Sequence, residues 1–187
     1  GMALGISLKK ICDGIESFKS VPGRLELLDS AHPFEVFVDY AHTEDALRNV
    51  LSLLKEVTKK GSIITVFGCG GDRDSGKRPL MGEIASRFSD VVVLTSDNSR
   101  SERPEDILAQ IKAGIGEAPK KAQVVVCPDR KEAIGQAIEM AERGDVIFIF
   151  GKGHENYQIV GEERIPFPDQ EVARYWLKKK CSPLMKS

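Results

Sequence analysis

The sequence predicts an α/β domain: a mostly parallel sheet, helices on both faces and a C-terminal β-hairpin. Three observations carry that expectation. Short β-branched runs recur along the chain. Helical segments of ten or more residues separate them. Prolines or capping residues stand at the starts of those helices. Strands that alternate with helices pair in parallel and are buried on both faces, so they read as continuous apolar runs.

The first stretch, to about Pro22, is weakly amphipathic, with Ile6, Leu8, Ile11, Ile15 and Phe18 at mixed helical spacing. Pro22-Gly23 breaks it and a strand begins in VPGRLELLD. Residues 34–40 (FEVFVDY) form the next strand. A helix over 43–61 comes after it, with Thr43 as N-cap, acids in its first turn and Gly61 as the C-terminal glycine. Residues 62–68 (SIITVFG) are a buried strand, and 78–88 a helix with Pro79 in its first turn. Strand 90–96 leads to helix 104–115, again opened by proline. Strand 122–128 precedes helix 129–143, whose Asp129-x-x-Glu132 start resembles a capping box and which stops before Gly144. Residues 145–151 (DVIFIFG) are the most continuously apolar strand. YQIV-GEE-RIPF is a hairpin, and helix 169–180 closes the chain. The whole is Rossmann-like.

At 187 residues the chain is sized for one domain. Residues 1–20 read as a tag remnant (Gly1 ahead of Met2) and a linker or tail of a preceding domain, 21–180 as the folded domain, and 181–187 as a tail. A formal net charge of −1 gives no basis for nucleic acid or an anionic membrane as a bulk partner. No apolar run approaches the roughly 20 residues needed to span a bilayer. The N-terminus lacks a secretory apolar region, so a cytoplasmic location is expected. Cys12, Cys69, Cys127 and Cys181 are scattered, with no C-x-x-C pair and no histidine at ligand spacing. Incidental thiols in a reducing compartment, and no metal site, are the expectation.

Ligands of such sheets bind beyond the carboxyl ends of the strands. The strands here lead into DYAHTED, GCGGDRDSGKR, SDNSR and GKGHENYQ, four polar loops on one edge. GCGGDRDSGKR matches a dinucleotide fingerprint only in part, because Arg73 stands where the third glycine belongs. It matches a P-loop only in part, because Arg78 replaces the magnesium-binding Ser/Thr. A tight turn that exposes Arg73 accounts for the same residues. If their strands are neighbours, Arg73 and Arg100 converge beside Asn98 as a fork-and-donor site for a carboxylate, and Glu155 supplies the opposite sign for an ammonium. That combination suits an amino-acid zwitterion; a surface ion-pair network is the competing reading. His42 and His154 lie just beyond strands, without a nucleophile signature to pair with, and His32 precedes Pro33 in a turn.

Taken together, GRLE, VDYAHT, VFGCGGDRDSGKRPLMG, TSDNSRSE and GKGHENYQIV resemble the C-terminal domain of the Mur ligases over roughly residues 21–178. Within that family they are most similar to the branch that adds the third residue of the peptidoglycan stem peptide. The resemblance implies an ATP-dependent amide ligase. The terminal carboxylate of UDP-N-acetylmuramoyl-L-alanyl-D-glutamate becomes an acyl phosphate, an amine attacks, and a tetrahedral intermediate collapses to amide and phosphate. ATP and Mg2+ would be held mainly by a central domain, and the UDP-sugar by an N-terminal one. The resemblance assigns Arg73, Asn98, Arg100, Gly151 and Glu155 to meso-diaminopimelate, with the arginines and Asn98 on its distal carboxylate and the Gly151 carbonyl and Glu155 on its distal ammonium. Arg24 and Asp39 match nucleotide-contacting positions, with Asp39 as the ribose ligand, and His42 lies in the same loop.

Retention of Arg100 favours meso-diaminopimelate over L-lysine, which has no distal carboxylate to pair with a buried arginine. Other readings are an L-lysine-adding ligase, another Mur or folylpolyglutamate-type ligase, or a nucleotide-binding Rossmann module. Two positions depart from the family pattern: Ser99 and Glu44 stand where proline is usual. No P-loop and no catalytic residue is present in this stretch, so the chain alone is expected to be inactive and to bind its ligands weakly.

Overall fold

A computed structural model describes residues 1–17, 21–28, 31–58, 60–118 and 122–181. A 3-10 turn, Met2–Leu4, leads to α1, Leu8–Ser17. Then come β1 (Glu26–Leu27), β2 (Glu35–Asp39), α2 (Glu44–Val57), β3 (Ile63–Phe67), α3 (Lys77–Phe88) and β4 (Val91–Leu94). The second half adds α4 (Pro104–Glu117), β5 (Gln123–Val126), α5 (Arg130–Met140), β6 (Val146–Phe150), β7 (Tyr157–Val160), β8 (Glu163–Pro166) and α6 (Asp169–Cys181).

Six strands form one sheet in the order β1-β2-β6-β3-β4-β5, parallel except for β1, while β7 and β8 pair as a separate hairpin. Strand β6 thus lies between β2 and β3, with Ile147 beside both Val36 and Ile64. Both faces are covered. Val146, Phe148 and Phe150 pack with the leucines of α2 and the apolar faces of α3 and α4. Ile147 and Ile149 point the other way, into the layer made by α5 and α6. This period-2 division explains why β6 is apolar at every position. Leu47, Leu51 and Leu54, spaced at i, i+4 and i+7, are the buried stripe of α2, each contributing about 1.5–3 kcal/mol by burial.

Capping agrees closely with the sequence. The Thr43 hydroxyl accepts the Ala46 N–H, and Glu44, standing in place of proline, occupies the first helical position. The Asp129 carboxylate accepts the Lys131 and Glu132 N–H groups. Two expectations need correcting. Helix α5 ends at Met140 rather than at 143. The Lys180 ammonium of α6 donates to the Ile138, Glu139 and Ala141 carbonyls, and Asp145 accepts the Glu142 N–H, so the ladder closes early. Gly61 does not cap α2, which is closed by the Thr58 N–H on the Leu54 carbonyl. Gly61 is needed for close approach instead: with φ at +94°, a Cβ there would lie 2.1 Å from the Gly144 oxygen. None of the side chains of α1 is buried. Phe18 and the tail beyond Cys181 lie outside the described residues.

Candidate functional site

The parallel strands β2, β6, β3 and β4 all deliver their carboxyl ends to one edge, and the loops beyond them surround a cleft of about 740 Å3. Arg73, Asn98, Arg100, Gly151 and Glu155 all line it. Residues far apart in the chain are brought to one site by the sheet order, which places β6 against β3 and β3 against β4. The cleft lies where ligands of such sheets bind, beside the strand at which chain order and spatial order part.

The turn after β4 is held from three sides. Arg100 sits in left-handed conformation, φ +51°. Its N–H donates to the Ile159 carbonyl at 3.1 Å, and its own carbonyl accepts the Gly161 N–H at 2.8 Å, so the hairpin grips the backbone at that residue. The guanidinium donates through Nη1 to the Gly71 carbonyl at 2.7 Å. Arg73 is exposed and donates to the Asp72 carbonyl at 3.2 Å. Among the described residues neither guanidinium is within ion-pair distance of a carboxylate, which leaves both available to an anion. Asp72, whose carboxyl is held below its ordinary range by the Ser101 hydroxyl and N–H, ties the glycine loop to this turn.

The glycines after β3 serve this packing. A Cβ on Gly68 would lie 2.0 Å from the Thr95 oxygen, and one on Gly71 would lie 1.9 Å from the Ser99 oxygen. The loop is glycine-rich because it lies flat on residues 95–99. Arg78 turns inward: it donates to both Glu102 oxygens at 2.7 and 2.8 Å, to Gln110 and to the Gly70 carbonyl. It clamps the loop rather than standing at a magnesium site.

Asn98 lies at the centre. Its Oδ1 accepts the Ile159 N–H at 2.9 Å and the Lys152 ammonium at 3.2 Å, and its Nδ2 donates to Glu155 Oε2, also at 3.2 Å. Asp97 accepts the Asn98 N–H at 2.6 Å. It also lies so close to Gly151, φ +111°, that a Cβ there would be 2.6 Å from Oδ2. Burial pushes the Lys152 ammonium below its ordinary pKa, and the Cys69 thiol, also lining the cleft, up to about 12.

Of the residues expected on the nucleotide side, only His42 lines the cleft. Arg24 and Asp39 are not among its lining residues and reach it only through their neighbour Tyr40. Arg24 lies over the Tyr40 ring at 4.5 Å, and Tyr40 meets His42 edge-on and His154 at 5.1 Å. The Asp39 carboxylate, 6% exposed, accepts the Ala41 N–H at 2.7 Å and the Leu25 N–H at 2.8 Å, bracing both loops. Four residues that shape the site fall outside the expected site residues: Tyr40 and Lys152, although they stand in the DYAHTED and GKGHENYQ loops, and the fully buried pair Arg130–Asp169. Arg130 donates to both Asp169 oxygens at 2.8 and 2.7 Å and to the Phe150 carbonyl at the end of β6.

The family described as "Mur ligase, glutamate ligase domain" matches residues 23–153, most of the chain and all but the last residues of this cleft. The chain belongs to the Mur ligase family. Among Mur ligase relatives, UDP-N-acetylmuramoyl-L-alanyl-D-glutamate--2,6-diaminopimelate ligase 1 of Clostridium acetobutylicum is 50% identical over 177 residues, 94% of this chain and 36% of its own length. The ligase of the same description from Fusobacterium nucleatum is 47% identical over 173 residues, 92% of this chain and 35% of its own. A solved structure of such a diaminopimelate ligase superposes with a TM-score of 0.78 at 40% identity, covering 96% of this chain and 36% of that one. The chain thus spans about a third of the length of the relatives it matches. The Thermotoga maritima UDP-N-acetylmuramate-alanine ligase shares the fold, with a TM-score of 0.62 at 20% identity.

Proposed function

We propose that this chain is the amino-acid-binding C-terminal domain of an ATP-dependent ligase that joins meso-diaminopimelate to UDP-N-acetylmuramoyl-L-alanyl-D-glutamate in peptidoglycan synthesis. One observation carries the reading: two arginines without carboxylate partners and a glutamate bridged to an asparagine line one cleft. The distal end of meso-diaminopimelate is an amino-acid zwitterion. Its carboxylate would be held by Arg73, Arg100 and the second Asn98 amide hydrogen, and its ammonium by Glu155 and the Gly151 carbonyl. Fixing that end leaves the other amino group free to attack, and orientation of this kind is the chain's contribution to rate.

ATP supplies the phosphoryl group that activates the acceptor carboxylate. The fit of this chain to it is partial. Arg24 lies over the Tyr40 ring, with His42 edge-on and His154 tilted against that ring, and this cluster is the one we propose for the base, with Asp39 for its ribose. Where a P-loop would carry its magnesium-binding Ser/Thr, the loop after β3 has Arg78, which points into the fold onto Glu102. Mg2+ and the phosphates therefore belong mainly to a central domain, and the UDP-sugar to an N-terminal one. Residues 1–20 are read as a tag remnant and the linker or tail of the preceding central domain, and α1, among the described residues, buries no side chain. The enzyme works in the cytoplasm, where its nucleotide substrates are.

The test is ligation by the full-length enzyme with the UDP-dipeptide, ATP and Mg2+, offering meso-diaminopimelate and L-lysine in parallel and monitoring product by mass. Meso-diaminopimelate is the expected substrate. Product with L-lysine alone would keep the ligase and sink the carboxylate site; product with neither would point to another amide ligase.

A further inference from the structure

We propose that Lys152 is a positioning residue for the amino-acid cleft: its buried ammonium helps fix the direction of the Asn98 amide and holds Glu155 in place as the cation acceptor. This rests on the cleft being the diamino-acid site. Lys152 does not line the cleft and is fully buried. Its Nζ lies 3.2 Å from Asn98 Oδ1, 3.6 Å from Glu155 Oε2 and 3.8 Å from Asp97 Oδ1, with the Tyr157 ring at 5.4 Å.

An ammonium withdrawn this far from water is costly unless its acceptors repay it. The arrangement of those acceptors gives it a task. The Asn98 amide has two orientations. In the one adopted, Oδ1 meets two donors, Lys152 and the Ile159 N–H, and Nδ2 meets the Glu155 carboxylate. Flipped, it would set donor against donor on one side and oxygen against carboxylate on the other. Lys152 therefore reinforces the orientation that the Ile159 N–H and Glu155 also favour, and so helps fix where a donor is offered to a substrate carboxylate.

Charge supports the same assignment. Asp97 and Glu155 are two carboxylates around one ammonium, so the cluster keeps one net negative charge for an incoming cation. Arg130 and Asp169, behind Lys152, neutralise each other. Without Lys152, the two acids would repel each other and Glu155 would lose a contact that holds it.

The experiment uses the full-length enzyme with Lys152→Met, which matches the side chain in length and removes its charge. KM for meso-diaminopimelate rises roughly ten- to a hundredfold, kcat falls less than threefold, and KM for ATP and for the UDP-dipeptide stays within about twofold. In an Asn98→Ala background the same substitution raises KM by a clearly smaller factor, because part of what Lys152 positions is already gone. Lys152→Gln keeps a donor toward Asn98 Oδ1; it raises KM less than Lys152→Met does, and it serves alone if the Met variant does not fold. An unchanged KM in the folded variants, an equal factor with and without Asn98, or a loss confined to kcat and melting temperature would overturn the assignment. Wild-type enzyme that ligates neither meso-diaminopimelate nor L-lysine would instead remove the functional reading beneath it.

Discussion

The Asn98 amide donates to the Glu155 carboxylate at 3.2 Å, so the side chain expected to meet a substrate carboxylate touches the one expected to meet an ammonium. In an α-amino acid those two charges are one carbon apart. The adjacency of their partners is what a zwitterion requires, and a lone cation has no use for it. Glu155→Gln should therefore raise KM for the diamino acid in the full-length enzyme by roughly ten- to a hundredfold, the loss of one charge-assisted contact. Steady-state kinetics with ATP saturating would show it, and KM for ATP should not change with it.

Gly151 has no room for a side chain. At φ +111°, with the Asp97 carboxylate where a Cβ would go, Gly151→Ala meets both backbone strain and a clash. A strained backbone position alone costs about 1–3 kcal/mol. The expected result is a lower melting temperature together with a raised KM for the diamino acid, because relief comes only by moving Asp97 and, with it, Asn98.

Asp169→Asn strands the Arg130 guanidinium, since both side chains are wholly buried. Removing one partner of such a pair costs roughly 3–5 kcal/mol, whereas replacing both with apolar residues of similar volume costs far less. Urea unfolding of the 187-residue chain should give that order, with Arg130→Met/Asp169→Leu more stable than Asp169→Asn.

Acid should loosen the clamp on the glycine loop. The Arg78 guanidinium, then the Asp72 N–H, holds the Glu102 carboxyl down at about 2, against an ordinary value of 4.5. A carboxyl depressed in the folded state contributes its full stability above 4.5 and loses it as pH falls through 2. Asp72 is shifted in the same direction by Ser101. The stability gap between wild type and Glu102→Gln should be constant from about pH 7 to about 5 and close progressively toward about pH 2, as read from denaturant midpoints.

Much of this was legible in the sequence because it is local. Apolar runs, the Thr43 and Asp129 caps and the prolines opening helices place every strand of the main sheet and its helices within a few residues. Arg73, Asn98, Arg100 and Glu155 are legible for a related reason, since each comes soon after a strand and parallel strands share one carboxyl edge, whereas Gly151 is assigned only by the family resemblance. What stays hidden depends on tertiary placement. Lys152 sits in GKGHE like a solvated charge, and only the central position of β6 buries it. Arg130 and Asp169 each look like the first residue of an ordinary helix, and their pairing across 39 positions has no sequence signature. The glycines after β3 suggest a phosphate loop, yet their smallness is needed by Thr95 and Ser99 packed against them. The end of α5 moved because Lys180, 42 positions beyond Ile138, takes the last carbonyls of that helix.

In the proposed function Arg100 holds the substrate carboxylate. The measurement is kcat/KM of full-length wild type and Arg100→Ala, each with meso-diaminopimelate and with L-lysine. With Arg100 gone, kcat/KM for meso-diaminopimelate should fall at least about a hundredfold, while the poor activity with L-lysine stays level or rises. An equal loss with both amino acids would contradict the account, leaving Arg100 as a brace for its turn and the carboxylate to be held elsewhere.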